Sequence, residues 1–259
     1  MGHAAAGIEV AVLGPVAVRG AERPFRRASS LELVVYLAFH RDGVSAGEWA
    51  SALWPDRPVS LPTVHSTASD ARRALGRTPD GREYLVRGGR LRLDDAVRTD
   101  VERFAALAAS GDPERVLEAM GCVRGPLFAG LRRADWAVFD GTEAGVEAMV
   151  VGAALRGAES LVGLGRGADA ERVVRRALLV SPYDERLYRA LLRAAAAQGN
   201  RIGLRSTMAE LLTLAGAWPG GVRRGHAAPS LACLHPETAA LYRSLSGVGG
   251  ASGGHPARL

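Results

Sequence analysis

The first part of the chain alternates β-type and helical patterns of apolar positions. Residues 8–18, IEVAVLGPVAV, are rich in β-branched side chains and are interrupted by a Gly-Pro pair, which predicts a strand, a turn and a second strand. Residues 29–40, SSLELVVYLAFH, carry apolar side chains at helical spacing, and Ser29 or Ser30 is placed to cap the helix. The pattern therefore predicts a strand pair followed by a helix.

Two more helical patterns come next. In SAGEWASALWPD, Ser45 lies three residues before Glu48 in a capping box, and a proline ends the helix after Trp54. Residues 63–76, TVHSTASDARRALG, have an apolar stripe that we expect to face the core: Val64, Ala68, Ala71 and Leu75. The opposite face is polar and comprises Ser66, Ser69, Asp70 and Arg73, with His65 and Arg72 on one flank and Thr63 and Thr67 on the other.

A hairpin pattern ends this part of the chain. In REYLVRGGRLRLDD, two short apolar runs flank Gly88-Gly89, a pair suited to the positive φ angles of a tight turn. Two strands, three helices and a hairpin, in this order, are typical of a winged helix-turn-helix with an N-terminal antiparallel sheet. The order of the elements is more informative than any one of them.

From Thr99 onward the pattern is helical. TDVE is a second capping box, and DPER and SPYDE each place a capping side chain before a proline in the first helical turn. Residues 165–178 and 199–212 superpose at a spacing of 34 residues, the period of tetratricopeptide-like helix pairs. Such pairs stack and share a core. The predicted fold class is therefore mainly α with a small β part, a winged helix-turn-helix followed by an α-solenoid.

The net charge is compatible with a nucleic-acid partner but does not locate a site. All 33 basic residues are arginine, against 27 acidic residues, and the formal net charge is +6. Residues 1–98 hold 14 arginines against 11 acids and residues 99–259 hold 19 against 16, so each part carries +3. The location must therefore come from the helical patterns.

The polar face of residues 63–76 is compatible with a surface that reads DNA and equally with a solvated helix surface. Arginine forms bidentate contacts with guanine in the major groove, each worth roughly 1–3 kcal/mol of discrimination. The candidate DNA-binding residues are Ser66, Ser69, Arg72 and Arg73 for base edges, His65 and Asp70 beside them, and Arg87 and Arg90 of the hairpin for the backbone. The alternative is that the hairpin arginines only keep an exposed ribbon soluble.

Several segments also resemble a known family. ASSLELVVYLAFHRDGVSAGEWASALWPDRP and HSTASDARRALG resemble the winged-helix part of actinobacterial regulators of the SARP type. VRTDVERFAAL resembles the junction to their bacterial transcriptional activator domain, and LVSPYDERLYRALLRAAAAQGN resembles its repeat core. The resemblance covers roughly residues 8–245 and is strongest to copies at the end of larger actinobacterial proteins. It implies DNA binding by the third helix and the wing, and a helical domain for dimerisation or RNA polymerase contact.

The resemblance has two departures, which keep a second function open. Family members usually carry a basic residue where Asp70 stands and a histidine near Thr67, whereas the histidine here is His65. The second hypothesis is a protein-interaction or signalling module that retains the two-domain fold and does not bind DNA.

No other chemistry is indicated. The sequence contains neither GxSxG nor HExxH. Cys122 and Cys233 match no zinc spacing, and His226 and His235 flank Cys233 without a fourth ligand at normal spacing. We therefore expect no enzyme activity, no metal and no cofactor. Because no secretory or membrane-spanning pattern is evident, we expect a cytoplasmic protein without a membrane partner.

These observations predict a DNA-binding transcriptional regulator that acts as an activator. Its expected partners are double-stranded DNA, RNA polymerase or another protein bound by the helical domain, and a second copy of the chain. The expected domains are a disordered start (1–7), a winged helix-turn-helix (8–98), a bacterial transcriptional activator domain (99–245) and a disordered tail (246–259).

Overall fold

The computed structural model describes residues 7–217 and 230–247. These residues pack as two compact units, one formed by residues 7–109 and 121–149 and the other by residues 110–120, 150–217 and 230–247. Nearly all of the predicted disordered start and tail, residues 1–6 and 248–259, lies outside the described residues.

The predicted strand pair at the start of the first unit is present. Strands β1 (Glu9–Ala11) and β2 (Ala17–Arg19) pair antiparallel, with Val10 opposite Val18. A third strand, β5 (Arg98–Thr99), pairs with β1 in parallel. The expected antiparallel sheet is therefore mixed, because the chain returns to the edge of β1 after the hairpin.

The three predicted helices are α1 (Ala28–Phe39), α2 (Ala46–Leu53) and α3 (Leu61–Leu75). The capping box of Ser45 and Glu48 at the start of α2 is confirmed. The predicted serine cap of α1 is wrong. Its N-cap is Arg27, without a side-chain hydrogen bond, and the Ser30 hydroxyl instead donates to the carbonyl of Thr67 at 3.0 Å.

The hairpin is present, but its turn differs from the predicted one. Strands β3 (Leu85–Val86) and β4 (Arg92–Leu93) pair antiparallel, with Leu85 opposite Leu93. Residues 87–91 connect them, and neither Gly88 nor Gly89 adopts a left-handed φ, so the two-glycine turn is wrong. The longer loop lets Leu91 exchange two backbone hydrogen bonds with Val44, at 2.8 and 2.9 Å.

Three further helices contribute to the first unit. Helix α4 (Asp100–Ala108) begins with the predicted capping box of Thr99 and Glu102, α6 spans Asp135–Phe139, and α7 (Thr142–Gly163) starts here. The carboxylate of Asp100, 1% exposed, accepts from the backbone N–H groups of Val12 and Leu13 at 2.8 and 3.1 Å. Helix α4 therefore packs on the N-terminal sheet, within the first unit. The division of the chain into two functional domains between residues 98 and 99 stays a prediction.

The second unit is a stack of helices with the predicted repeat. It contains α5 (Pro113–Gly121), the later turns of α7, α8 (Gly167–Ala177), α9 (Glu185–Ala197), α10 (Arg201–Ala217) and α11 (Pro236–Ser246). Asp112 caps α5 as predicted, accepting from the N–H of Glu114 at 3.0 Å. Helix α9 packs against α8, α10 and α11, as in an α-solenoid.

The two copies of the 34-residue repeat end their preceding helices in the same way. Gly165 and Gly199 both have left-handed φ, at 72° and 64°. The N–H of each glycine donates to the carbonyl three residues earlier, and the next N–H donates to the carbonyl five residues earlier, as in a Schellman motif. Four equivalent pairs are all buried: Ala170 and Leu204, Val173 and Thr207, Val174 and Met208, and Ala177 and Leu211.

One predicted helix start in this unit is wrong. The pair Ser181-Pro182 does not begin α9, because Asp184 is the N-cap and accepts from the N–H of Arg186 at 2.8 Å. The two tyrosines near the start of α9 differ in burial. Tyr188 is buried, whereas the side chain of Tyr183 is exposed.

Candidate nucleic-acid interface

Helix α3 presents one exposed row of polar side chains. His65, Ser69 and Arg73 are exposed and follow one another at intervals of four residues, which places them on a single helical face. The side chain of Arg73 is 60% exposed, and its Nη2 lies 3.8 Å from Oδ1 of Asp70. The row thus offers a guanidinium, a hydroxyl and an imidazole, three groups that can hydrogen-bond to base edges.

Asp70 does not belong to this row, and the prediction that it faces outward is wrong. Its side chain is buried and accepts a hydrogen bond from the backbone N–H of Arg26 at 3.2 Å. Thr67, expected on a flank, is also buried, where its carbonyl accepts from the hydroxyl of Ser30. Both corrections have one cause: α1 and the segment before it cover that side of α3. The Asp70 carboxylate therefore joins two segments of the fold.

Ser66 lies half-buried on one flank of the row. Its hydroxyl donates to the carbonyl of Thr63 at 3.0 Å and accepts from the guanidinium of Arg27 at 2.7 Å. Because a serine hydroxyl has one hydrogen to donate, Ser66 can offer a partner only an acceptor. The group nearest to a partner on this flank is the guanidinium of Arg27.

Arg72 lies on the other flank and is part of a cluster around Glu83. The carboxylate of Glu83 lies within 3.3–3.5 Å of guanidinium nitrogens of Arg72, Arg77 and Arg87. Burial and the charge of Arg87 lower the pKa of Arg72, while Glu83 opposes that shift. Three arginines with one carboxylate leave the cluster at +2, so the flank next to the hairpin is basic even though Arg72 itself is half-buried.

The two predicted wing arginines, Arg87 and Arg90, differ in how strongly contacts within the fold hold their guanidinium groups. Arg87 is 70% exposed, and its Nε lies 3.5 Å from Glu83. Arg90 is directed back towards the start of α2, where its Nε donates to the carbonyl of Gly43 at 3.0 Å and its Nη2 lies 3.2 Å from Glu48. Of the two, Arg87 is therefore the one placed to meet a partner at the tip of the hairpin.

Comparison with known proteins identifies the part of the chain that follows this winged helix. Residues 94–202 match the family described as the bacterial transcriptional activator domain. This match covers less than half of the chain. The match confirms the resemblance to transcriptional regulators of the SARP type, and the matched family is one of transcription regulators and not of enzymes. No curated protein matches the chain.

A solved structure has the same fold as this chain. It is Mycobacterium tuberculosis EmbR in complex with a low-affinity phosphopeptide, which is 23% identical in sequence and superposes with a TM-score of 0.62. The alignment covers 92% of this chain and 64% of the EmbR chain, so this chain spans less than two thirds of the length of that structure. The similarity confirms the fold class of a mainly helical chain with a small N-terminal sheet.

Sequence reasoning missed the arginines that precede α1. Arg23, Arg26 and Arg27 are exposed. The backbone N–H of Arg23 donates to the carbonyl of Ala74, that of Arg26 donates to Asp70, and the side chain of Arg27 reaches Ser66. The sequence signal that could have indicated this basic segment is RPFRR, which has three arginines within five residues. Their position along α3 depends on contacts between residues that lie 39 to 51 positions apart.

Two other features bear on what the described residues can do. Within residues 7–217 and 230–247, no group of three His, Cys, Asp or Glu side chains is arranged to hold a metal ion. His226, one of the three residues considered for a metal, lies outside the described residues. None of the described helices is both long enough and apolar enough to cross a bilayer.

Proposed function

We propose that the chain is a DNA-binding transcriptional activator whose α3 enters the major groove. The observation that carries this proposal is the exposed row of His65, Ser69 and Arg73, which has basic side chains on both flanks. Arg27 lies on one flank, and Arg72 with its neighbours around Glu83 lies on the other. A duplex in contact with the row would bring phosphates near both flanks, where cations stabilise them.

Each residue takes a distinct role in this proposal. Arg73 is the base-reading group, since its exposed guanidinium can form two hydrogen bonds with guanine. Ser69 and His65 add single contacts along the same face. Arg87 binds a phosphate from the wing, and Arg27 binds one from the opposite flank. Arg90 contributes only if it leaves Gly43 and Glu48, so we assign it a minor role.

The helical domain supplies the second partner in this proposal. A single winged helix buries a small interface, so useful affinity calls for two copies on repeated half-sites. We assign to the activator domain either this self-association or contact with RNA polymerase, in keeping with the family to which residues 94–202 match. The regulator would act on chromosomal DNA in the cytoplasm.

The test begins with selection of a DNA duplex by the protein from a random pool. The affinity for that duplex is then measured by fluorescence anisotropy over a series of salt concentrations. We expect affinity to fall steeply with salt, and Arg87→Ala to reduce the slope by about 0.9 for the one lost phosphate contact. Arg73→Ala should weaken the selected duplex by roughly 1–3 kcal/mol and a scrambled duplex much less. Arg205→Ala, an exposed arginine of α10, is the control for loss of one charge.

The second candidate function is a protein-interaction module without DNA. The observation in its favour is that Glu83 and Glu48 neutralise part of the charge of the arginines that would hold DNA. If no duplex is enriched, and if binding is no tighter than that of an unrelated protein of equal charge, the regulator proposal fails and this candidate replaces it.

A further inference from the structure

A cleft in the first unit lies away from the α3 row and has a different chemistry. It has a volume of about 400 Å³ and opens between the C-terminal ends of α1 and α2 and the short helix α6. The residues that define its chemistry are Tyr36, His40, Asp135, Trp136, Phe139 and Asp140. Four of these six are aromatic or imidazole rings, and the other two are carboxylates.

The inner wall of the cleft is a fixed set of rings. Tyr36 stacks on His40 with ring centroids 3.9 Å apart, and Trp136 meets them edge-on at 5.1 and 5.6 Å. Tyr36 and Trp136 are buried, so these rings are held by packing. A group that enters the cleft would therefore meet a preformed aromatic surface, and little ordering would be needed on binding.

The outer rim of the cleft consists of solvent-exposed apolar side chains. The Phe139 side chain is 85% exposed, and its neighbour Val138 is 63% exposed. The exposed ring of Phe139 contributes little to the stability of the fold, because its apolar area remains in solvent. The rim therefore offers area that an apolar side chain of a partner could cover.

Two carboxylates line the cleft, on a chain whose net charge is +6. Asp135 is exposed at its edge, and Oδ2 of Asp140 lies 3.5 Å from Nε2 of His40, whose Nδ1 faces the carbonyl of Tyr36 at 2.8 Å. Burial raises the pKa of Tyr36, and the charges of Glu48 and Asp140 raise it further. No arginine is among the described residues that line this cleft.

We propose that this cleft binds an arginine side chain of a partner protein, with an apolar residue next to that arginine covering Phe139. Aromatic faces attract a guanidinium through cation–π contact and stacking, and the two carboxylates supply acceptors for its N–H groups. An acidic segment would be repelled by Asp135 and Asp140. A small cation alone would not cover the exposed ring of Phe139. We therefore propose an arginine within a peptide segment, where a neighbouring apolar side chain can cover that ring.

The test uses three blocked tripeptides and the full-length, ¹⁵N-labelled chain. They are acetyl-Leu-Arg-Leu-amide, the same peptide with the neutral isostere citrulline, and the same peptide with glutamate. Binding is followed by the indole N–H resonance of Trp136, assigned by its loss in Trp136→Phe. We expect the arginine peptide to shift this resonance and to bind at least threefold more tightly than the citrulline peptide, with the glutamate peptide weakest.

Variants locate the effect. Phe139→Ala removes an exposed ring and Asp140→Asn removes a charge at nearly constant shape, and each should weaken the arginine peptide about two- to fivefold. Asp95→Asn, an exposed acid elsewhere in the first unit, is the matched control and should leave binding unchanged. Equal binding of the arginine and citrulline peptides, equal weakening by Asp95→Asn, or an unmoved Trp136 resonance at saturating peptide would each overturn the proposal.

Discussion

Replacement of Asp70 tests the packing of α3, because this carboxylate joins segments 44 residues apart in sequence. Asp70→Ala leaves the backbone N–H of Arg26 without its acceptor, and a hydrogen bond to a charged group contributes about 1.5–3 kcal/mol. The contact with Arg73 adds little, since the two groups are 3.8 Å apart and the guanidinium is 60% exposed. We expect the free energy of unfolding to fall by about 2 kcal/mol.

Two further substitutions at the same position sharpen the test. Asp70→Asn keeps an oxygen acceptor for Arg26 and should cost about 1 kcal/mol or less. Asp70→Arg replaces the acceptor by a larger side chain of opposite charge at a site that is 4% exposed and should cost about 3 kcal/mol or more. Ser69→Arg, at the neighbouring exposed position, is the matched control and should stay within about 0.5 kcal/mol of the wild type. The assay is urea unfolding followed by tryptophan fluorescence. If Asp70→Arg is as stable as Ser69→Arg, Asp70 faces solvent and the packing described here is wrong.

Three other substitutions give predictions in the rest of the chain. Burial, with the charge of Glu210, raises the pKa of Tyr188 to about 12; its contribution to stability is therefore present below pH 10 and lost as the pH rises towards 12, and Tyr188→Phe should remove that loss in unfolding measured from pH 9 upward. In Gly157→Ala, the new Cβ would lie 2.5 Å from Cγ1 of Val116; it should cost about 1–3 kcal/mol, part of which Val116→Ala restores in a double-mutant cycle. The buried indole N–H of Trp136 has no acceptor among the described residues, so Trp136→Phe should cost far less than the roughly 3–5 kcal/mol of Trp136→Ala, and equal thermal shifts of the two variants would refute this.

Local features of the fold were predictable from sequence because their causes are local. The capping boxes at Ser45 and Thr99 each depend on residues three positions apart, and both are present. Gly165 and Gly199 each end a helix with a left-handed φ, a conformation that glycine adopts without steric cost. The 34-residue period then follows, since each copy buries the same positions against its neighbour.

The errors have a common physical origin in contacts between distant residues. Ser30 satisfies the sequence rule for an N-cap but hydrogen-bonds to Thr67, 37 residues away. Arg90 is at the hairpin as predicted, yet its guanidinium is held by Gly43, 47 residues earlier. A helical wheel places Asp70 opposite the apolar stripe but does not include the segment that covers it. Sequence patterns therefore located the candidate interface, and tertiary contacts decided which of its side chains are available.

If α3 binds DNA as proposed, its available part determines how many copies of the chain are needed. Thr67 and Asp70 are buried inside the fold, so that only His65, Ser69 and Arg73 would be left for base edges. A bidentate arginine contact contributes roughly 1–3 kcal/mol of discrimination, and single contacts from a serine and a histidine contribute less. One copy would then lie near the low end of the roughly 4–10 kcal/mol that separates specific from non-specific binding. Two copies on repeated half-sites would add their contributions, so the proposed DNA contact by a narrow surface calls for the proposed self-association of the helical domain. A single copy bound to a single half-site with nanomolar affinity would contradict this argument.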